Sequence, residues 1–136
     1  MQKLEELVKR EGARTRPSDE SSIMQLEQQL GFSLSSEYRA YLSTFGVIIY
    51  GGNEVYGLGV PDNYYLNVFS AYVDLSRDPS YPANAVPLID VGDGQYWLYD
   101  NKAQRILLWA TPNGGIVQAI DDNLESFLIE RLFERQ

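Results

Sequence analysis

With 136 residues, 44% of them apolar and 22% charged, the chain can bury roughly two thirds of the surface its unfolded form exposes and is too hydrophobic to remain disordered. Nineteen acidic against eleven basic residues leave a net charge of −8, which repels nucleic-acid phosphates and anionic membrane surfaces and favours a basic partner. The absence of cysteine and histidine excludes disulfides, Cys/His zinc sites and the Ser-His-Asp and Cys-His nucleophile systems, so any enzyme would have to work with carboxylates, Tyr, Lys or Ser.

The length prior gives one domain over residues 1–136. MQKLEELVKREGARTRP carries charges where a signal peptide has its apolar core, and no apolar run is long enough to cross a bilayer, so the expected location is the cytoplasm. Within KLEELVKRE, Leu4, Leu7 and Val8 repeat at helical spacing, and Gly12 ends the pattern. GARTRPSDESS reads as a linker. A second helix is expected from about Asp19 to Leu30, with Ile23, Leu26 and Leu30 inside and Gly31 as its stop. Ser35 or Ser36 caps a third, on which Tyr38, Tyr41, Leu42 and Phe45 share a face before Gly46 closes it.

The pattern changes at VIIYGGNEVYGLGV, residues 47–60, where β-branched and aromatic residues around Gly51, Gly52 and Asn53 predict a hairpin. Residues 64–76 return to helical spacing through Tyr65, Val68, Phe69, Tyr72 and Val73, and RDPSYPANAVP follows as a surface loop. AVPLIDV, QYWLYD, QRILLWA and GIVQAI then read as four strands separated by the turn sequences GDG, DNKA and TPNGG. Asp121 or Asp122 is expected to cap a closing helix that buries Leu124, Phe127, Leu128 and Leu132. Helices, an antiparallel meander and a last helix make an α+β domain with a sheet of about five or six strands.

The stretch LIDVGDGQYWLYD raises three chemical readings. A calcium loop of the EF-hand type starting at Asp90 fails, because its third and fifth positions are Gly92 and Gly94 and its twelfth is Asn101. A paired-carboxylate glycosidase site, drawing on Asp62, Asp74, Asp78, Asp90, Asp93 and Asp100, needs a cleft for which so short a chain leaves little room. The remaining reading is a tight Asp93-Gly94 hairpin turn, with Asp90 and Asp93 at a sheet edge. GGNEVYGLG lacks both the Gly-Lys-Ser/Thr of a phosphate loop and a GxGxxG that opens a helix, and reads as a hairpin with a bulge. An aromatic RNA platform is disfavoured, since Lys102 and Arg105 are the only basic residues of the sheet region.

Ile23, Glu27, Leu30, Gly31, Leu34, Tyr38 and Leu42, spaced I-x3-E-x2-L-G-x2-L-x3-Y-x3-L, resemble the opening of the SUKH superfamily, which is named for yeast cell-wall-synthesis regulators and bacterial immunity proteins. The likeness continues through Gly51, Gly52 and Gly57, through PLIDVGDGQYWLYD as the family's central strand, acidic turn and next strand, and through LESFLIERL as its closing helix, covering about residues 20 to 132. Ser35 stands where the family often has proline, and Phe45-Gly46-Val47 where it often has a second glycine or a polar pair. The resemblance implies a SUKH-like fold and a non-enzymatic role, since bacterial members are encoded beside secreted toxins, often nucleases, and bind them.

An acidic domain suits the basic face of a nuclease, so charge and resemblance converge on an immunity protein that neutralises a cognate toxin by stoichiometric binding. The expected contacts are acids and tyrosines of the loops and hairpins: Glu54, Tyr56, Asp62, Tyr64, Asp78, Tyr81, Asp93 and Tyr96. No catalytic residue, metal or cofactor is called for. The alternative is an intracellular regulatory or scaffold module that binds a signalling partner, or a small ligand in a cleft between helices and sheet. A carboxylate enzyme comes third. Open strand edges also permit a homodimer.

Overall fold

A computed structural model of the chain describes residues 1–134. Helix α1 (Gln2–Glu11) buries Leu4 and Val8 and ends at Gly12, whose left-handed φ of 71° suits a residue without a Cβ. Helix α2 (Glu20–Leu30) is capped by Asp19, which accepts the Ser22 amide at 2.8 Å, and buries Ile23, Leu26 and Leu30. Helix α3 (Ser36–Thr44) starts from Ser35, whose hydroxyl accepts the Tyr38 amide at 3.1 Å.

The stretch read as a linker contains a short strand, β1 (Arg14–Thr15), which pairs antiparallel with β2 (Ile48–Tyr50). Two residues carry no periodicity, so only the pairing with a distant segment defines that strand. The Gly51-Gly52 turn joins β2 to β3 (Asn53–Val55), as the sequence led us to expect. Helix α4 is shorter than the spacing of residues 64–76 implied: it runs Val68–Leu75, because the Asn67 side chain caps it by accepting the Ser70 amide. Tyr64 and Tyr65 consequently sit in a turn and are exposed.

Strands β4 (Ala85–Gly92), β5 (Gln95–Asp100), β6 (Arg105–Ala110) and β7 (Gly115–Ile120) form the expected meander. At its first corner Asp93 and Gly94 both have positive φ, 54° and 75°, the conformation of a two-residue hairpin turn. Asn123, rather than Asp121 or Asp122, caps α5 (Leu124–Ile129), which runs on into a π-helical turn over Glu130–Glu134. The α+β antiparallel class is as expected, but the strands divide into a three-stranded sheet, β1-β2-β3, and a four-stranded sheet, β4-β5-β6-β7. The Tyr56 amide donates to the Leu88 carbonyl at 2.8 Å and ties one sheet to the edge of the other.

Alternation along β5 and β6 gives the four-stranded sheet two apolar faces. Trp97, Tyr99 and Ile106 face the main core with the helices, while Leu98, Leu107 and Trp109 join Leu75 and Ala85 in a second cluster. Two buried tyrosines, Tyr41 and Tyr99, fasten the main core through their hydroxyls. The Tyr41 hydroxyl donates to the Tyr56 carbonyl at 3.0 Å, and the Tyr99 hydroxyl pairs with Ser35 Oγ at 2.7 Å. Burial, the main cause, pushes the Tyr99 hydroxyl up to about 12.

Glu27 clips α2 to α3 by accepting the Leu34 amide at 2.8 Å and pairing with Arg39. The Leu34 hydrogen bond first, then Arg39, holds this carboxyl below its ordinary 4.5. A carboxyl depressed in the folded state stabilises fully above its unfolded pKa and ceases to do so as pH falls through its folded value. Glu27→Gln is therefore expected to cost on the order of 1 kcal/mol at neutral pH. Urea unfolding across a pH series should show that difference shrinking below about pH 4.5.

Candidate functional site

The segment that leaves β3, residues 56–67, starts against the edge strand β4, where the Tyr56 amide meets Leu88, and closes on itself through its backbone. The Gly57 amide donates to the Leu66 carbonyl at 3.0 Å, and the Val68 amide returns a bond to the Gly57 carbonyl at 2.9 Å. This closed loop presents Asp62, Tyr64 and Tyr65 to solvent next to α4. Tyr56 is half-buried at its start, its main chain engaged on both sides by Leu88 and Tyr41.

Tyr56, Asp62, Tyr64, Tyr65, Asp74 and Tyr96 line one cavity of about 250 Å³. The Tyr64 and Tyr65 rings lie 4.6 Å apart, centroid to centroid. Tyr96 comes from β5, directly opposite Asp90 of β4, and rests against the indole of Trp109. A second cavity of about 260 Å³ shares Tyr56 and Tyr65 with the first and adds Glu54, Asp90 and Arg131. Glu54 accepts the Tyr65 hydroxyl and so joins the two.

The potential over this face is negative. Burial first, then Asp90, the neighbouring Tyr96, Glu54 and Asp74, pushes the Tyr56 hydroxyl up to about 12. Burial followed by Asp90 and Asp74 raises Tyr96. Arg131 is the single basic residue lining either cavity among the described residues. Such a surface offers rigid rings with polar tips amid carboxylates, which suits a cationic protein surface and repels phosphate.

Five of the expected contacts, Glu54, Tyr56, Asp62, Tyr64 and Tyr96, therefore meet on one face. Asp93 stands exposed at the tip of the β4–β5 hairpin, outside both cavities. Asp78 and Tyr81 do not join them. The Asp78 carboxylate accepts the Thr111 hydroxyl and the Ser80 amide, which hold its pKa down. The Tyr81 hydroxyl donates to the Ala85 carbonyl at 2.8 Å, and its ring meets Trp109 edge-on at 5.1 Å. Both residues fasten the loop of residues 77–84 over the second core. Tyr81→Phe is accordingly expected to lower stability by about 1 kcal/mol in thermal or urea unfolding.

Tyr65, Asp74, Asp90 and Arg131 belong to this face and were not among the expected contacts. Helical spacing assigned Tyr65 to a buried stripe; the Asn67 cap signal places it outside the helix. Asp74 falls four residues after Ser70, on the side of α4 away from Val68 and Leu75, a polar stripe that periodicity could have found.

A larger cavity of about 490 Å³ lies between α2 and residues 58–70. Its walls are polar, with Asp19, Ser22, Gln25 and Gln29 on one side and Asp62 and Ser70 on the other. Asp19 is occupied as the cap of α2, and that hydrogen bond to Ser22 lowers its pKa. The carboxyls whose titration is displaced, Asp19, Glu27, Asp78 and Glu125, all move downward, the opposite of what a general acid requires. Among the described residues no group of three or more acidic side chains is placed to hold a metal ion, and no helix is long and apolar enough to cross a membrane.

A family model described as SMI1-KNR4 cell-wall, SUKH_6, matches residues 20–128, the span that contains both sheets from β2 onward and every acid and tyrosine of this face. The chain belongs to the SUKH family. A crystal structure of a protein from Pseudomonas syringae pv. tomato is similar to this SUKH chain with a TM-score of 0.79 at 14% identity, covering 98% of this chain and 99% of the other. At that identity the likeness speaks for the fold alone. Comparison with curated protein sequences finds no match.

Proposed function

We propose that this SUKH protein is a cytoplasmic immunity protein that binds a cognate toxin, a nuclease being the class its charge suits best, and neutralises it stoichiometrically without catalysis. Membership of a family that includes toxin-immunity proteins supports this reading. We further propose that, within the family, this chain is akin to the Bacillus immunity protein YobK. The observation that carries the proposal is the gathering of Glu54, Asp62, Asp74 and Asp90 with Tyr56, Tyr64, Tyr65 and Tyr96 on one face of a domain with net charge −8. A nuclease needs a basic surface to hold its substrate. An acidic, tyrosine-rich face approaches such a surface fast and buries aromatic area on arrival.

The test is calorimetric titration with the toxin domain encoded beside its gene, at low and high salt, alongside an assay of that toxin's activity. One-to-one binding that weakens with salt and abolishes activity is the expected result, because exposed charges are screened beyond a Debye length of about 8 Å at physiological ionic strength. Absence of binding overturns the proposal for that pair.

The polar cavity of about 490 Å³ supports a second reading, a regulatory module that binds a small ligand there, because its volume falls within the range of small-molecule sites. A stabilising thermal shift in a screen of polar metabolites, abolished by Gln25→Leu, would favour it.

A further inference from the structure

Between the hairpin loop and α4, the cavity lined by Tyr56, Asp62, Tyr64, Tyr65, Asp74 and Tyr96 has a volume of about 250 Å³. That is below the roughly 300–1,000 Å³ typical of sites for drug-sized ligands, and a depression of this size suits one protruding side chain. Its walls combine two features that recognise one chemistry. Four tyrosine rings offer electron-rich faces, and two carboxylates, Asp62 and Asp74, add charge. The negative field at the cavity is felt by its own wall, since Asp90 and Asp74 both act to keep Tyr56 and Tyr96 protonated.

We infer that this cavity is a socket for one arginine side chain projecting from the partner protein, with its guanidinium held between tyrosine rings and the carboxylates of Asp62 and Asp74. The inference rests on the reading that this face meets a basic partner, and it assigns the anchor of that interface. Arginine fits better than lysine. Its planar guanidinium stacks on aromatic faces, forks to carboxylates and is more weakly hydrated than an ammonium group. The chain itself shows the affinity of one wall for that group: Asp74 pairs with the guanidinium of Arg77 at 3.6 Å, with both side chains about three-quarters exposed. An exposed pair of this kind is worth little, so an incoming arginine can replace it.

The experiment uses N-acetyl-arginine amide as the probe and its neutral isostere N-acetyl-citrulline amide as the control, each titrated into the 136-residue protein and followed by backbone amide NMR. Saturable shifts with the arginine compound, centred on residues 56–65, 74 and 96 and absent with citrulline, are expected. Tyr64→Ala should weaken the arginine affinity about two- to fivefold, the loss of one partly exposed cation–π contact. Asp62→Asn supplies a second variant that removes charge without removing volume, and it should weaken the same titration. Equal shifts with both compounds, or shifts scattered over every acidic patch, overturn the socket. The two levels of the proposal separate cleanly. If arginine gives no localised shifts while the toxin is still neutralised, the socket falls and the immunity reading stands. If arginine docks and the toxin is unaffected, the socket stands and the immunity reading falls.

Discussion

Asp62→Lys combined with Asp74→Lys is expected to slow association with the proposed toxin partner on the order of tenfold or more at low salt, with a smaller effect at high salt and no change in melting temperature. Both side chains are exposed. Among the described residues Asp62 makes no side-chain ion pair and Asp74 makes the solvent-exposed contact with Arg77, so neither contributes appreciably to folding. The pair shifts the face by four charge units, and electrostatic steering between proteins changes on-rates by roughly 10–10³. Stopped-flow association rates at two ionic strengths, with thermal unfolding of the same double variant, test this directly. An unchanged rate with an unchanged melting temperature would place the toxin contact elsewhere on the molecule.

Gly57→Ala carries the largest expected cost in stability, more than about 4 kcal/mol, because the clash is with backbone and nothing can move aside cheaply. A Cβ on Gly57 would lie 1.5 Å from the Gly46 carbonyl oxygen, and one on Gly46 would lie 1.7 Å from the carbonyl oxygen of Arg16. Here the residue after β1, the exit of α3 and the start of the acidic loop stack main chain on main chain. Hydrogen bonds run between the layers, from the Arg16 amide to the Phe45 carbonyl at 2.7 Å and from the Leu58 amide to the Gly46 carbonyl at 3.1 Å. Gly51→Ala is the matched control. A Cβ there meets nothing within 4 Å, and the positive φ of 55° alone should cost only about 1 kcal/mol. Urea unfolding of both variants checks the difference. A domain is stable by only about 5–15 kcal/mol, so Gly57→Ala should also disrupt the acidic, tyrosine-rich face proposed to bind the toxin.

The two glycines show where reading along the chain stops. Gly51 has a local purpose: with Gly52 it turns one strand onto the next, and the flanking strand pattern announces it. Gly57 looks the same in one dimension, where its neighbours predict a hairpin with a bulge. Its requirement is a close approach to the backbone of Gly46, 11 positions away, which no local pattern encodes. The same contrast holds for the site. Acids and tyrosines between residues 50 and 100 marked the region, and five of the eight expected contacts do converge. Tyr81 has the same residue type in the same kind of loop, yet its ring lies against Trp109 and its hydroxyl is bound to Ala85.

The sequence by itself determined the charge, the chemistries that a chain without histidine and cysteine cannot use, the α+β class, the start of the third helix at Ser35 or Ser36 and the Asp93-Gly94 corner. All of these depend on composition or on interactions spanning a few residues. Only the tertiary structure decided the two-residue β1, the division of the strands between two sheets, the crossing at Gly46 and Gly57, and the company that Tyr56, Asp62, Tyr65, Asp74, Asp90 and Tyr96 keep. Those features arise from backbone pairing and packing between segments tens of residues apart, where the free energy lies in contacts that become defined when the chain closes on itself.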